Sequence, residues 1–156
     1  FAATRPDAFR LERSILIAAP ADRIQPLIAD FRSWRSWSPW ENKDPGMTRT
    51  LSGAESGVGA AYAWDGNKDI GSGRMEILES SLERILIKLD FLRPFEAHNV
   101  AEFTLRPEGQ GTRVTWAMTG PQPFIGKLMS LVFSLERMVG PDFETGLASL
   151  KRQAEA

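Results

Sequence analysis

The sequence holds a single histidine, His98, in the stretch "FEAHNV". An imidazole titrates near neutrality, which makes His98 the side chain best suited to general-base catalysis. No Ser-His-Asp or Cys-His pattern accompanies it, so a hydrogen-bonded structural role at a turn before a strand is the plainer reading. Glu96 and Asn99 beside it would complete a polar cluster. Successive strand residues face opposite sides, however, so once a strand has begun His98 and Asn99 cannot both face inward. Arg49 shares parity with Met47 and Leu51, and Glu79 with Met75 and Ile77. A charge on an apolar face needs a partner or a ligand, so each is a candidate for holding a polar head group. Exposure near a strand end is the duller alternative for both. Tyr62 and Trp64 share one parity and Ala61 and Ala63 the other. Facing inward, the Tyr62 hydroxyl is a natural polar anchor in an apolar site; facing outward, the pair leaves room inside.

Several chemistries drop out at once. There is no cysteine, which removes disulfides, thiol catalysis and thiolate metal sites. One histidine cannot build a multi-histidine metal centre within one chain, and no metal or cofactor is expected. The "DGNKD" at residues 65–69 lacks the length and terminal Glu of a calcium loop and reads as a hairpin turn. "GVG" and "GSG" lack the strand-to-helix setting of a nucleotide-binding loop. The 19 basic and 20 acidic residues nearly cancel, and no basic run suggests a nucleic-acid partner.

The stretch "WRSWSPWENKDP" places Trp34, Trp37 and Trp40 within seven residues of turn-like composition. Exposed indoles in a solvated loop would be a liability. Two readings follow: a plug packing this segment onto the rest of the fold, or an aromatic wall at the mouth of a cavity. Trp34 and Trp37, at i and i+3, can share a helical face, whereas Trp40 follows Pro39. The plug is the favoured reading, with some indole bordering whatever space remains.

The elements that must position these residues are legible in the patterning. With 156 residues, 42% hydrophobic and 25% charged, the chain reads as one globular domain over 1–156, residues 1–7 forming an extended tail. Residues 9–20 alternate as a strand, with Phe9, Leu11, Ile15 and Ile17 on one parity. Ile24, Leu27, Ile28 and Phe31 give the stripe of a short helix, with Pro26 inside its first turn, and residues 33–37 a second short helical turn. Six β-type runs then fill residues 47–119, joined by turns short enough to make an antiparallel meander. In the last three, one parity is apolar and the other charged or polar, the mark of a sheet with one buried face. Residues 124–139 read as a helix whose apolar surface exceeds one stripe. Gly140 and Pro141 break it, and a further helix carries Phe143, Leu147 and Leu150. The expected architecture is α+β: a curved seven-stranded antiparallel sheet around a long C-terminal helix, with two short helices between strands 1 and 2.

In that order, the strings "WSPWENKDP", "GVGAAYAWDGN", "GSGRMEI", "PFEAHNVAEFTL", "GTRVTWAMTGP" and "GPDFETGLASLK" resemble the polyketide cyclase/dehydrase branch of the START-like superfamily, over residues 9–152. That helix-grip superfamily also includes the major birch-pollen allergen and lipid-transfer START domains. The resemblance implies an apolar cavity between sheet and C-terminal helix, with a hydrophobic small molecule or lipid as partner. It would be lined by Trp34, Trp37, Trp40, Tyr62, Trp64, Met75, Ile87, Phe103, Trp116, Met129 and Phe133, with Arg49, Glu79, His98 and Asn99 as polar candidates. It implies binding or transport, with a cyclase- or dehydratase-type enzyme as the alternative and a protein-interaction module as the second. A monomer or weak homodimer is expected. Similar proteins often carry an apolar segment before a "TRPD"-like stretch, so the opening "FAATRPD" raises the expectation of a removed anchor or signal segment and of membrane proximity.

Overall fold

Alternation of apolar and polar side chains builds one sheet. The computed structural model describes residues 8–39, 47–66, 71–93, 97–121 and 140–156. The tail 1–7, the helix read at 124–139, Trp40, Met129 and Phe133 lie outside the described residues. The strands are β1 (Ala8–Ile17), β2 (Thr48–Gly53), β3 (Ala60–Asp65), β4 (Ser72–Ser80), β5 (Arg84–Arg93), β6 (Ala97–Glu108) and β7 (Gly111–Pro121). They form a single curved antiparallel sheet in the order β1-β7-β6-β5-β4-β3-β2. The meander β2 to β7 is as the turn spacing implies, and β1 closes it by pairing along its whole length with β7, Ala8 opposite Pro121 and Ile17 opposite Thr112.

Two short helices follow β1. Helix α1 (Ala21–Ala29) turns Ile24 and Ile28 fully inward. Pro26 lies past the first turn, not within it, so the carbonyl of Asp22 loses its helical donor. The 3₁₀ helix α2 (Phe31–Ser36) starts two residues earlier than the pattern suggests. Asp30 is the reason: its Oδ1 accepts the Arg32 backbone N–H at 2.9 Å and caps the turn. That bond and the Arg32 guanidinium hold the Asp30 carboxyl below its ordinary pKa, the side-chain bond contributing most.

Helix α3 (Gly140–Glu155) packs mainly on β1 and also reaches α1, α2 and β7. It buries Phe143, Leu147 and Leu150, the narrow face expected, together with Gly146 and Ala154. Arg13 of β1 bonds Glu144 at 2.9 Å. At the other end of α3, Glu155 accepts from Lys151 and, at 2.8 Å, from the Ala18 backbone N–H. These contacts lower the Glu155 pKa, the Lys151 bond first. No described helix is long and apolar enough to cross a membrane.

Two predictions follow from how α3 is held. A Cβ at Gly146 would stand 2.9 Å from Pro39 Cδ and 3.0 Å from Trp116 Cζ3. Overpacking of this kind costs about 1–3 kcal/mol, against a gain of about 1 kcal/mol in helix propensity. Gly146→Ala therefore lowers the urea midpoint, although alanine is the better helix former. Because the Glu155 pKa is depressed on folding, its contribution is present above the ordinary carboxylate range and is lost as pH falls through the folded value. Glu155→Gln is expected to be less stable than wild type at pH 7, with the two urea curves converging at about pH 2.

Candidate functional site

Strand register sorts the candidate residues by face. On the concave face, Leu51, Tyr62, Met75, Leu89 and Asn99 lie opposite one another across β2 to β6. A second row runs Ile77, Ile87, Ala101, Met118 and Leu11, and a third Ile85, Phe103, Trp116 and Arg13. Beyond the first row, at the opposite end, Arg49, Trp64, Gly73 and Phe91 form a fourth.

The third-row end is filled with aromatic rings. Trp116 stacks on Phe143 of α3 at 4.1 Å and 5°, and on Phe103 at 4.9 Å. Trp34 and Trp37 meet at 4.6 Å, since residues three apart eclipse in a 3₁₀ helix, and both reach Phe103 and Trp116 edge-on. Both are buried to within 3%. Trp34 Nε1 donates to the Ile28 carbonyl at 2.8 Å and Trp37 Nε1 to the Leu27 carbonyl at 2.9 Å. These carbonyls belong to the last turn of α1, where helical donors run out. The two indoles plug this end and cap a helix, which explains the tryptophans in a turn-like segment.

The opposite end is built differently. Among the described elements, no helix makes more than passing contact with β4 or β5. Here the concave face presents Met75, Leu89, Met118 and Leu11, with Tyr62, Trp64 and Phe91 beside them. The Trp64 indole lies over Gly73, where a Cβ would come within 2.6 Å of the ring, and meets Phe91 edge-on at 5.8 Å. Tyr62 and Trp64 thus face inward, Tyr62 also touching Phe31 at 5.7 Å. Asn99 is buried on this face, with 8% exposure.

The polar candidates divide. His98 lies within β6, not in a turn before it, and so points to the convex face, its side chain 61% exposed and its Nδ1 2.8 Å from Asp90 Oδ1. Glu79 is also convex. A bulge at Leu78 sets Ile77 opposite Ile87 but Glu79 opposite Leu86, which reverses the parity shared with Met75. Glu79 pairs there with Arg84 at 3.0 Å, and Arg84 also binds Glu102, which raises the guanidinium pKa. Arg49 is half-buried near the β2 edge and donates to the Met47 carbonyl at 3.3 Å. Ile87 and Phe103 are fully buried, Ile87 midway along the face and Phe103 in the plug. Leu89, Met118 and Phe91 join the opposite end of the face without having been singled out; parity with Ile87 and Trp116 is the signal that marks them. Phe31 and Phe143 likewise join the plug. A separate surface groove of about 180 Å³ lies between Asp30, Phe31 and Arg32 and the β2–β3 hairpin. It is smaller than the roughly 300–1,000 Å³ of an ordinary ligand pocket.

A family profile described as "Polyketide cyclase / dehydrase and lipid transport" matches residues 8–155, so the chain belongs to this family. It is the polyketide cyclase/dehydrase branch of the START-like superfamily. No curated protein matches the sequence. Among solved structures, the di-domain ARO/CYC StfQ of the steffimycin biosynthetic pathway superposes with a TM-score of 0.71 at 14% identity, covering 99% of this chain and 53% of that one. The chain thus spans about half the length of that two-domain protein. A Thermobifida fusca protein gives a TM-score of 0.70 at 22% identity, covering 93% of this chain and 92% of its own. A Chromobacterium violaceum protein gives 0.62 at 17%, covering 97% and 99%. At these identities the likeness is one of fold.

The two ends of the face respond differently to substitution. Trp37→Ala removes a buried ring and its contacts with Trp34, Phe103 and Trp116, and is expected to cost about 3–5 kcal/mol in urea unfolding. His98→Ala, at an exposed hydrogen bond to Asp90, is expected to change stability by less than about 1 kcal/mol.

Proposed function

We propose that the protein binds a hydrophobic small molecule or lipid against the concave face of its sheet, over β4, β5 and the adjoining ends of β6 and β7. One observation carries the reading: the face is divided between an end sealed by stacked aromatics and an end of adaptable apolar side chains with one buried amide. Met75 and Met118 can reshape around a ligand, because an unbranched thioether has several low-energy conformers. Trp64, Phe91 and Leu89 supply stiffer walls. A ligand burying roughly 300 Å² of apolar surface gains about 7 kcal/mol before ordering costs. The family description, which joins cyclase/dehydrase chemistry to lipid transport, supports a hydrophobic ligand in either role. Binding is favoured over acid–base catalysis because His98 and Glu79 are on the convex face. In this reading the protein acts as a monomer or weak homodimer.

Native mass spectrometry followed by denaturing extraction is expected to reveal a co-purifying apolar mass or, in its absence, saturable binding of diphenylhexatriene. Met75→Trp, which enlarges a side chain in the middle of the face, should weaken diphenylhexatriene binding about tenfold. Failure of both co-purification and dye binding would sink the reading.

A further inference from the structure

Asn99 is the feature that the packing of the sheet leaves unexplained. Its side chain is nine-tenths buried on the concave face, opposite Leu89. Among the described residues its one hydrogen-bond partner is the Met118 thioether, 3.8 Å from Nδ2. A thioether is a weak acceptor, and a buried amide with so poor a partner costs stability that a leucine would not. Among the described residues no formal charge stands beside it. His98 and Glu102, its near neighbours on β6, face the convex side, where they pair with Asp90 and Arg84. Arg13, an inward charge on β1, is held by Glu144, and Arg49 lies on β2, at the far edge of the sheet.

Resting on the binding reading above, we propose that Asn99 orients the ligand, and that it selects an apolar molecule carrying an uncharged carbonyl or hydroxyl. A carboxamide donates through Nδ2 and accepts through Oδ1, so it pairs with either group. A plain hydrocarbon leaves the amide as poorly paired as it is now. A carboxylate would be buried beside apolar side chains without a countercharge from any described residue, at a cost that one amide bond does not offset.

The test displaces diphenylhexatriene, a hydrocarbon reporter, with naphthalene, 2-acetylnaphthalene and 2-naphthoate at neutral pH. In the wild type the ketone is expected to compete about tenfold more strongly than either of the others. Asn99→Leu should erase that advantage, each competitor being scored against the reporter's own affinity for that variant, and hold or raise the melting temperature. A lower melting temperature with the ketone preference intact would show a purely structural amide and overturn the proposal. So would reporter binding without any ketone preference in the wild type, although the binding reading would then stand. Absence of reporter binding in the wild type would overturn both. Asn99→Met carries the same test should Asn99→Leu precipitate.

Discussion

The stacking of Trp116 between the sheet and Phe143 of α3, with Trp34 and Trp37 set edge-on against it, is the contact on which the other elements depend. It joins three parts of the chain that have no backbone hydrogen-bond ladder in common: the segment after α1, the β6–β7 ribbon and the C-terminal helix. Ring pairs in offset or edge-to-face geometry add roughly 0.5–1.5 kcal/mol each beyond the area they bury. The indoles also solve a polar problem. Helix α1 is nine residues long, carries an interior proline and has no side-chain cap at its start. Isolated, so short a helix would not form in water. Two indole N–H groups satisfy carbonyls of its last turn, so the same side chains that fill the core also finish the helix.

The two ends of the concave face differ in the side chains they present. A stacked plug cannot rearrange without losing several ring contacts together, whereas the buried Met75 and Met118 are unbranched thioethers that adapt more readily to a change of shape. The convex face contributes little to this division. Its charges pair with one another, as Arg74 with Glu76 and Arg113 with Glu108. Exposed pairs of this kind favour solubility and register more than stability.

Alternation made most of this architecture legible from the residues, because parity depends only on local geometry: Ile85, Ile87, Phe103, Trp116 and Met118 face the core as their spacing implies. The errors arise where tertiary pairing overrides the local count. The Leu78 bulge turns Glu79 outward, and no pattern within β4 alone announces it, since a bulge belongs to a pair of strands. The sequence alone does not say whether His98 ends a turn or begins a strand; strand β6 starts at Ala97 and decides that Asn99, not His98, is the inward residue. Which tryptophans plug the fold needed the position of α3, because Phe143 is distant in sequence from Trp34 and Trp37.

The pairing of β1 with β7 has a consequence for how the molecule comes into being. Strand β1 must wait for β7 before it gains its neighbour in the described sheet, whereas β7 also has β6, since Leu11 lies opposite Met118 and Ile15 opposite Val114. At about 5–20 residues per second of synthesis, the apolar side of the N-terminal strand stands unpaired for several seconds. Pairing β1 with β7 also demands the closure of a long loop, which slows folding in free solution. A nascent chain of this protein therefore cannot complete its sheet from the N-terminus onward. It must gather the meander first and admit the opening strand at the close.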